Sequence, residues 1–223
     1  MKQKNKRILI NGVISILLFI IWTALVMNFD VKAIGVNGTE VGFSGINKFF
    51  HGLTGVNLLL YNITDWLGLV PLFVCFIFGF MGLTQLFKRK SLFKVDMDIV
   101  LLGVYYIIVV FCYLIFEMIP INYRPILISG FMEASYPSST TLLVLSVMPT
   151  LNFQINKRLE NPLLKNITGT ASVIFSLFMV AGRLISGVHW FTDIIGSVLL
   201  STGLYYLYKA AALLTGSENN GIR

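Results

Sequence analysis

Between Gly182 and Asp193 the sequence reads Gly-Arg-Leu-Ile-Ser-Gly-Val-His-Trp-Phe-Thr-Asp. It holds one of only two histidines in the chain, with Arg183 six residues before it and Asp193 four residues after. Long apolar runs flank this stretch, and ionisable groups so placed mark a functional site by default. An aspartate four residues beyond a histidine shares its face once a helix has begun. It can hold one imidazole nitrogen in its N–H form and leave the lone pair of the other exposed. That is the arrangement a histidine nucleophile needs. Arg183 supplies a planar cation suited to a phosphate, and Gly187 lets the chain turn between the two.

Two further stretches suit the same chemistry. Arg124-Pro125 lies in a polar, turn-rich segment at 120–137, which also contains Gly130 and Glu133. Tyr136-Pro137-Ser138-Ser139-Thr140-Thr141 opens an apolar run. Proline followed by Ser and Thr is helix-start chemistry, with Ser138 as the N-cap. The free N–H groups and hydroxyls of such a start can also receive a phosphate.

The elements that must position these residues are membrane helices. Of 223 residues, 56% are hydrophobic and 12% charged, about half the roughly 25% usual in soluble domains. The mean hydropathy is +0.81. Apolar runs near or above the ~18–20 residues needed to cross a bilayer predict spans over about 8–27, 66–87, 99–119, 138–152, 167–181 and 190–214. The first is too long for a signal peptide and ends without a small-residue cleavage site, so it reads as retained. Residues 30–65 form an outer loop in which 46–53 reads as an interfacial amphipathic helix. His51 lies there with no carboxylate near it in sequence. Asn37-Gly38-Thr39 and Asn62-Ile63-Thr64 match a glycosylation acceptor too short to carry weight alone. Cys75 and Cys112 sit inside apolar runs and read as small core residues.

The net charge of +7 is topological. Lys2, Lys4, Lys6 and Arg7, then Lys88, Arg89, Lys90 and Lys94, then Lys157, Arg158 and Lys165 flank apolar runs, and no basic patch interleaved with aromatics suggests nucleic acid. The rule that cytoplasmic loops carry the positive excess puts both termini inside and the 120–137 and 182–189 connections outside. Arg124 and Arg183 stand in those outer loops against that pressure, so an anionic partner is the expected reason for them.

Together these residues resemble the type-2 phosphatidic acid phosphatase superfamily, membrane lipid phosphatases that share a core with vanadium haloperoxidases. Its motifs are K-x6-R-P, P-S-G-H and S-R-x5-H-x3-D. Here they read Glu117-x6-Arg124-Pro125, Pro137-Ser138-Ser139-Thr140 and Gly182-Arg183-x5-His189-x3-Asp193. The resemblance covers about residues 60–214, within one membrane domain spanning 1–223. It implies an all-α, polytopic fold, a bundle of six transmembrane helices with its site at the outer leaflet of the cell membrane. It further implies His189 as a nucleophile forming a phosphohistidine and Asp193 as its orienter. Arg124, Arg183, Ser138, Ser139 and Thr140 would form the phosphate seat. No metal or other cofactor is implied. The expected partners are the bilayer and a phosphorylated membrane lipid, either a prenyl diphosphate or a phosphatidate or phosphatidylglycerophosphate.

Two departures stand out. The Lys of the first motif is Glu117, and the His that protonates the leaving oxygen is Thr140. Losing general acid help typically costs about 10²–10⁴-fold. A monoester expels an alkoxide of about water's basicity (~15.7), whereas a diphosphate expels a phosphate whose second pKa is about 6. A site without the acid therefore suits a diphosphate. Alternatively Glu133 replaces the acid, and Glu117 pairs with an outer arginine. A non-catalytic relative that binds or moves phosphorylated lipids is the alternative function.

Overall fold

The computed structural model describes residues 2–218; the end of the polar tail expected after the last span lies outside the described residues. Among the described residues there are eight α-helices: α1 (Lys2–Asn28), α2 (Ser44–Thr54), α3 (Leu58–Leu67), α4 (Leu69–Arg89), α5 (Met97–Met118), α6 (Ser139–Arg158), α7 (Pro162–Ile185) and α8 (Phe191–Glu218). Between α1 and α2, β1 (Lys32–Ala33) and β2 (Glu40–Val41) pair antiparallel. The protein is an all-α polytopic membrane protein. Residues such as Ile20, Phe76, Ile107, Phe111 and Leu177 are more than half exposed around its flank, as a lipid-facing surface requires.

Among the described residues, five segments are long and apolar enough to cross a membrane: Asn5–Asn28, Leu58–Arg89, Met97–Met118, Pro162–Ile185 and Phe191–Thr215. The expected second span is thus longer than its apolar core, because α3 continues into α4 through Gly68. The expected fourth span, α6, is not among the five. It does not fade near Asn152 but runs on to Arg158. It packs against α4, α5, α7 and α8, and its polar side chains find partners there. Tyr106 Oη lies 2.8 Å from Thr150 Oγ1, and Gln154 Nε2 donates to Tyr208 Oη at 2.8 Å. A helix enclosed by other helices can carry such groups, since each hydrogen bond removes the cost of burying them.

α1 lies antiparallel along α8. Gly12 sits against the backbone at Leu207, and Gly203 against the backbone at Ile16. Small residues at a crossing let two membrane helices approach closely. At the other end of this pair, Trp22 Nε1 donates to the Thr192 carbonyl at 3.1 Å, and Thr23 Oγ1 lies 2.7 Å from Tyr136 Oη. One end of the bundle holds Arg89, Lys157 and Arg158 bound to Asp96 and Asp98. The other end holds the α7–α8 turn.

Candidate functional site

His189 lies in that turn, and three pieces of chain fix it. The first is the turn itself. Gly187 has φ 68°, a conformation that suits glycine, and any side chain there would run into the Gly55 carbonyl. Asn57 N–H donates to the Ser186 carbonyl at 3.0 Å, so the α2–α3 connection straps the turn from outside.

The second is the start of α8. Asp193, in its first turn, accepts the Trp190 N–H at 2.8 Å. This is half of a capping box, a carboxylate three residues in reaching back to the residue before the helix. Asn47 of α2, fully buried, accepts the Thr192 N–H at 3.2 Å and donates to Thr192 Oγ1 at 3.0 Å. Phe50 stacks on Phe191 with centroids 4.2 Å apart.

The third is the 120–137 connection, which folds as a hairpin-like excursion. Ile128 and Phe131 exchange both backbone hydrogen bonds, and Ser129 and Gly130 between them both have positive φ. Two such residues define the tight turn that suits antiparallel pairing. The pairing sets Arg124 N–H on the Glu133 carbonyl at 3.1 Å and Ser135 N–H on the Asn122 carbonyl at 2.9 Å.

Ser135 and Asn122, which no sequence spacing singles out, then complete the site. Ser135 Oγ donates to Asp193 Oδ2 and lies 3.1 Å from His189 Nδ1, and the Ser135 carbonyl lies 3.2 Å from the same nitrogen. Asn122 Nδ2 reaches Asp193 Oδ1 at 3.4 Å. The direct His189 Nδ1–Asp193 distance is 3.7 Å. The expected His–Asp pair is therefore a relay through the Ser135 hydroxyl rather than a direct contact. With the carboxylate taking the Ser135 proton, Nδ1 has only acceptors before it and carries the hydrogen. Nε2 then keeps its lone pair, and Arg183 Nη2 points at it from 3.2 Å. Burial, and after it the charges of Arg124 and Arg183, hold the His189 pKa well below 6.5, against a raising contribution from the Ser135 carbonyl.

Both arginines are buried, Arg183 fully and Arg124 at 9% exposure, and both lie over the ring of Tyr61 in α3, at 4.8 and 5.8 Å. Arg183 Nη1 is 3.6 Å from Asp65 Oδ1 and 3.5 Å from Thr64 Oγ1. Buried Arg183 Nε, Arg124 Nε and Arg124 Nη1 make no hydrogen bond. Arg124 Nε lies 3.1 Å from Glu133 Oε2, but out of line for one. Unpaired guanidinium N–H groups beside an imidazole lone pair are a seat for an oxyanion.

The remaining predicted positions fall differently. Ser138 precedes α6 as expected, but its hydroxyl donates to Thr141 Oγ1 at 3.0 Å and leaves the helix N–H groups uncapped by its side chain. Ser139 and Thr140 line an apolar cavity of about 380 Å³ between the α3–α4 junction, α5 and α6, with Asp65 also in its wall. Glu117 is exposed and borders a separate small cavity with Tyr113, Phe116 and Pro137. The carboxylate that meets an outer arginine is Glu133, not Glu117. Among the described residues no three His, Cys, Asp or Glu side chains gather as a metal site.

Residues 116–213 match the PAP2 superfamily. That segment contains Arg124, Ser138, Arg183, His189 and Asp193, so the resemblance read from the motifs is borne out there; Tyr61 and Asp65 lie before it. The fold is similar to a crystal structure described as the first transmembrane PAP2 type phosphatidylglycerolphosphate phosphatase from Bacillus subtilis. The TM-score is 0.61 at 20% identity, over 89% of this chain and 94% of that one. No curated protein matches the chain.

Proposed function

We propose that the protein is a membrane lipid phosphatase that removes a phosphate or diphosphate headgroup through a phosphohistidine. The observation that carries this reading is the approach of Arg183 to the free-lone-pair nitrogen of His189, with unpaired guanidinium N–H groups on Arg183 and Arg124. The arginines hold the phosphate oxygens. His189 Nε2 forms a bond to phosphorus as the bond to the leaving oxygen breaks. The positive charge that develops on the ring is stabilised through Nδ1–H, Ser135 and Asp193. Water then attacks phosphorus, the P–N bond breaks, and phosphate leaves.

The site faces the outside of a cell membrane, and both termini face the cytoplasm. Supporting this orientation, the end of the bundle opposite His189 carries the basic residues that cytoplasmic loops favour. A phosphate-release assay on purified protein with phosphatidic acid, phosphatidylglycerophosphate and a long-chain prenyl diphosphate tests the reading. Release by wild type and none by His189→Ala is expected; equal rates from the two overturn it.

A further inference from the structure

The motifs leave the leaving oxygen without a proton donor, since Thr140 stands where the superfamily has histidine. A carboxylate from outside the matched segment lies beside that position. Asp65 lies in the last turn of α3, and the junction after that helix approaches the first turn of α6 closely. A side-chain carbon added at Gly68 would lie 3.6 Å from Thr140 Cγ2. Asp65, Tyr113, Ser139 and Thr140 are the polar residues lining a cavity whose apolar walls include Leu69, Leu72, Val110 and Leu143. Asp65 joins this cavity to Arg183, and an apolar slot so placed suits the lipid half of a substrate, which is the leaving group.

The arrangement around Arg183 is equally specific. Its Nη2 meets His189 Nε2 and its Nη1 meets Asp65 Oδ1. A phosphate seated on that edge would meet the imidazole on one side and the aspartate on the other. The other two candidate carboxylates are placed elsewhere. Glu133 is paired with Arg124, and Glu117 borders a different cavity.

Resting on the phosphatase reading, we propose that Asp65 is the group that protonates the leaving oxygen, in place of the histidine absent at Thr140. In the free protein Asp65 is an ion-pair partner of Arg183. An incoming phosphate ester takes over the guanidinium and hands its own proton to Asp65. Tyr113 of α5 also lines the cavity, and Arg124, paired with Glu133 of the hairpin, lies over the same Tyr61 ring as Arg183. As Nε2 bonds to phosphorus, the ester oxygen leaves and takes the Asp65 proton, giving the lipid alcohol, phosphohistidine and Asp65 carboxylate. In the second half a water oxygen bonds to phosphorus, the P–N bond breaks, and the water's proton returns to Asp65.

The test exploits the leaving group. Phosphatidic acid expels a strongly basic oxygen and a prenyl diphosphate a weakly basic one, so only the former depends heavily on the acid. Initial rates of phosphate release are measured on both substrates with full-length wild type, His189→Ala, Asp65→Asn, Asp65→Ser and Asp65→Asn/Thr140→His, and a melting temperature for each. Asp65→Asn is expected to lose about 10²-fold or more on phosphatidic acid, at least ten times its loss on the diphosphate. Thr140→His in the Asp65→Asn background is expected to restore at least tenfold on phosphatidic acid. Asp65→Ser reads the same contrast should Asp65→Asn melt early.

Equal losses on the two substrates, or no loss on either, overturn the proposal, as does failure of the Thr140→His rescue. So does a wild type that turns over the diphosphate but not phosphatidic acid. Equal rates from wild type and His189→Ala sink the phosphatase reading itself, whatever Asp65 does.

Discussion

At the scale of single residues, the site depends on keeping one histidine neutral and pointed. Two arginines that suit a phosphate also repel a proton on His189, and burial adds to them. The pKa lies below 6.5, so as pH falls the imidazole keeps its lone pair past the point where an ordinary histidine loses it. With only two histidines in the chain, this can be read by NMR on histidine-labelled protein. His51, half-buried beside Trp190, is also lowered, by burial alone, while His189 titrates well below 6.5 as its Nδ1–H tautomer. Arg124→Gln should raise the His189 pKa and leave His51 in place; an unmoved His189 would remove the arginine from its electrostatics. Ser135→Ala should lower kcat by roughly tenfold to hundredfold, because a buried acceptor left unsatisfied costs about 1–3 kcal/mol and each ~1.4 kcal/mol is a tenfold rate. His189, Asp193 and Arg183 are singled out by their spacing, and Arg124 by its place in an outer loop that disfavours positive charge. Ser135 and Asn122 are not, since they reach Asp193 from 58 and 71 residues away through a hairpin whose only local cue is Ser129-Gly130.

At the scale of elements, hydropathy reads the helices that face lipid and underreads the one that does not. α6 is shielded by four neighbours, so Ser, Thr and Gln serve it as well as leucine, and its polar composition hides its length. The converse holds for α2. Its amphipathic pattern was visible over 46–53, and Ile46, Phe49 and Leu53 are indeed exposed. What the pattern could not reveal is the opposite face, where Asn47 occupies an orphan N–H at the start of α8. Asn47→Ala leaves that N–H and the Gly42 carbonyl, which accepts from Nδ2 at 2.8 Å, buried and unpaired. It should destabilise the protein by about 2 kcal/mol or more and loosen the turn that holds His189. A lowered melting temperature together with reduced phosphate release is expected; unchanged melting would show that α2 is not a brace.

At the scale of the whole molecule, the two ends of the bundle divide the work. The end bearing His189 leaves guanidinium N–H groups of Arg124 and Arg183 without hydrogen bonds, whereas the far end ties Arg89, Lys157 and Arg158 to two carboxylates. Asp98, 5% exposed at the start of α5, takes Lys157 at 2.9 Å and Arg158 at 2.8 Å from the end of α6. Asp96 binds Arg89 at 2.8 Å and Gln85 at 2.9 Å. This network ties α4, α5 and α6 together, and Gln154 links it to α8 through Tyr208. Those helices also carry the cavity wall and the Thr140 end of the site, so a loose clamp would let the far end splay. Asp98 is buried but Lys157 is exposed and Arg158 partly so, and both cations can turn to water, so losing the carboxylate costs the charged hydrogen bonds of the clamp, about 1–3 kcal/mol. Asp98→Ala should therefore lower the melting temperature. It touches neither the phosphate seat nor the leaving-group slot. At a temperature where the variant is folded, the ratio of its rates on phosphatidic acid and prenyl diphosphate should match that of wild type. A changed ratio would mean that the two ends communicate through α5 and α6, and the division of labour would fall.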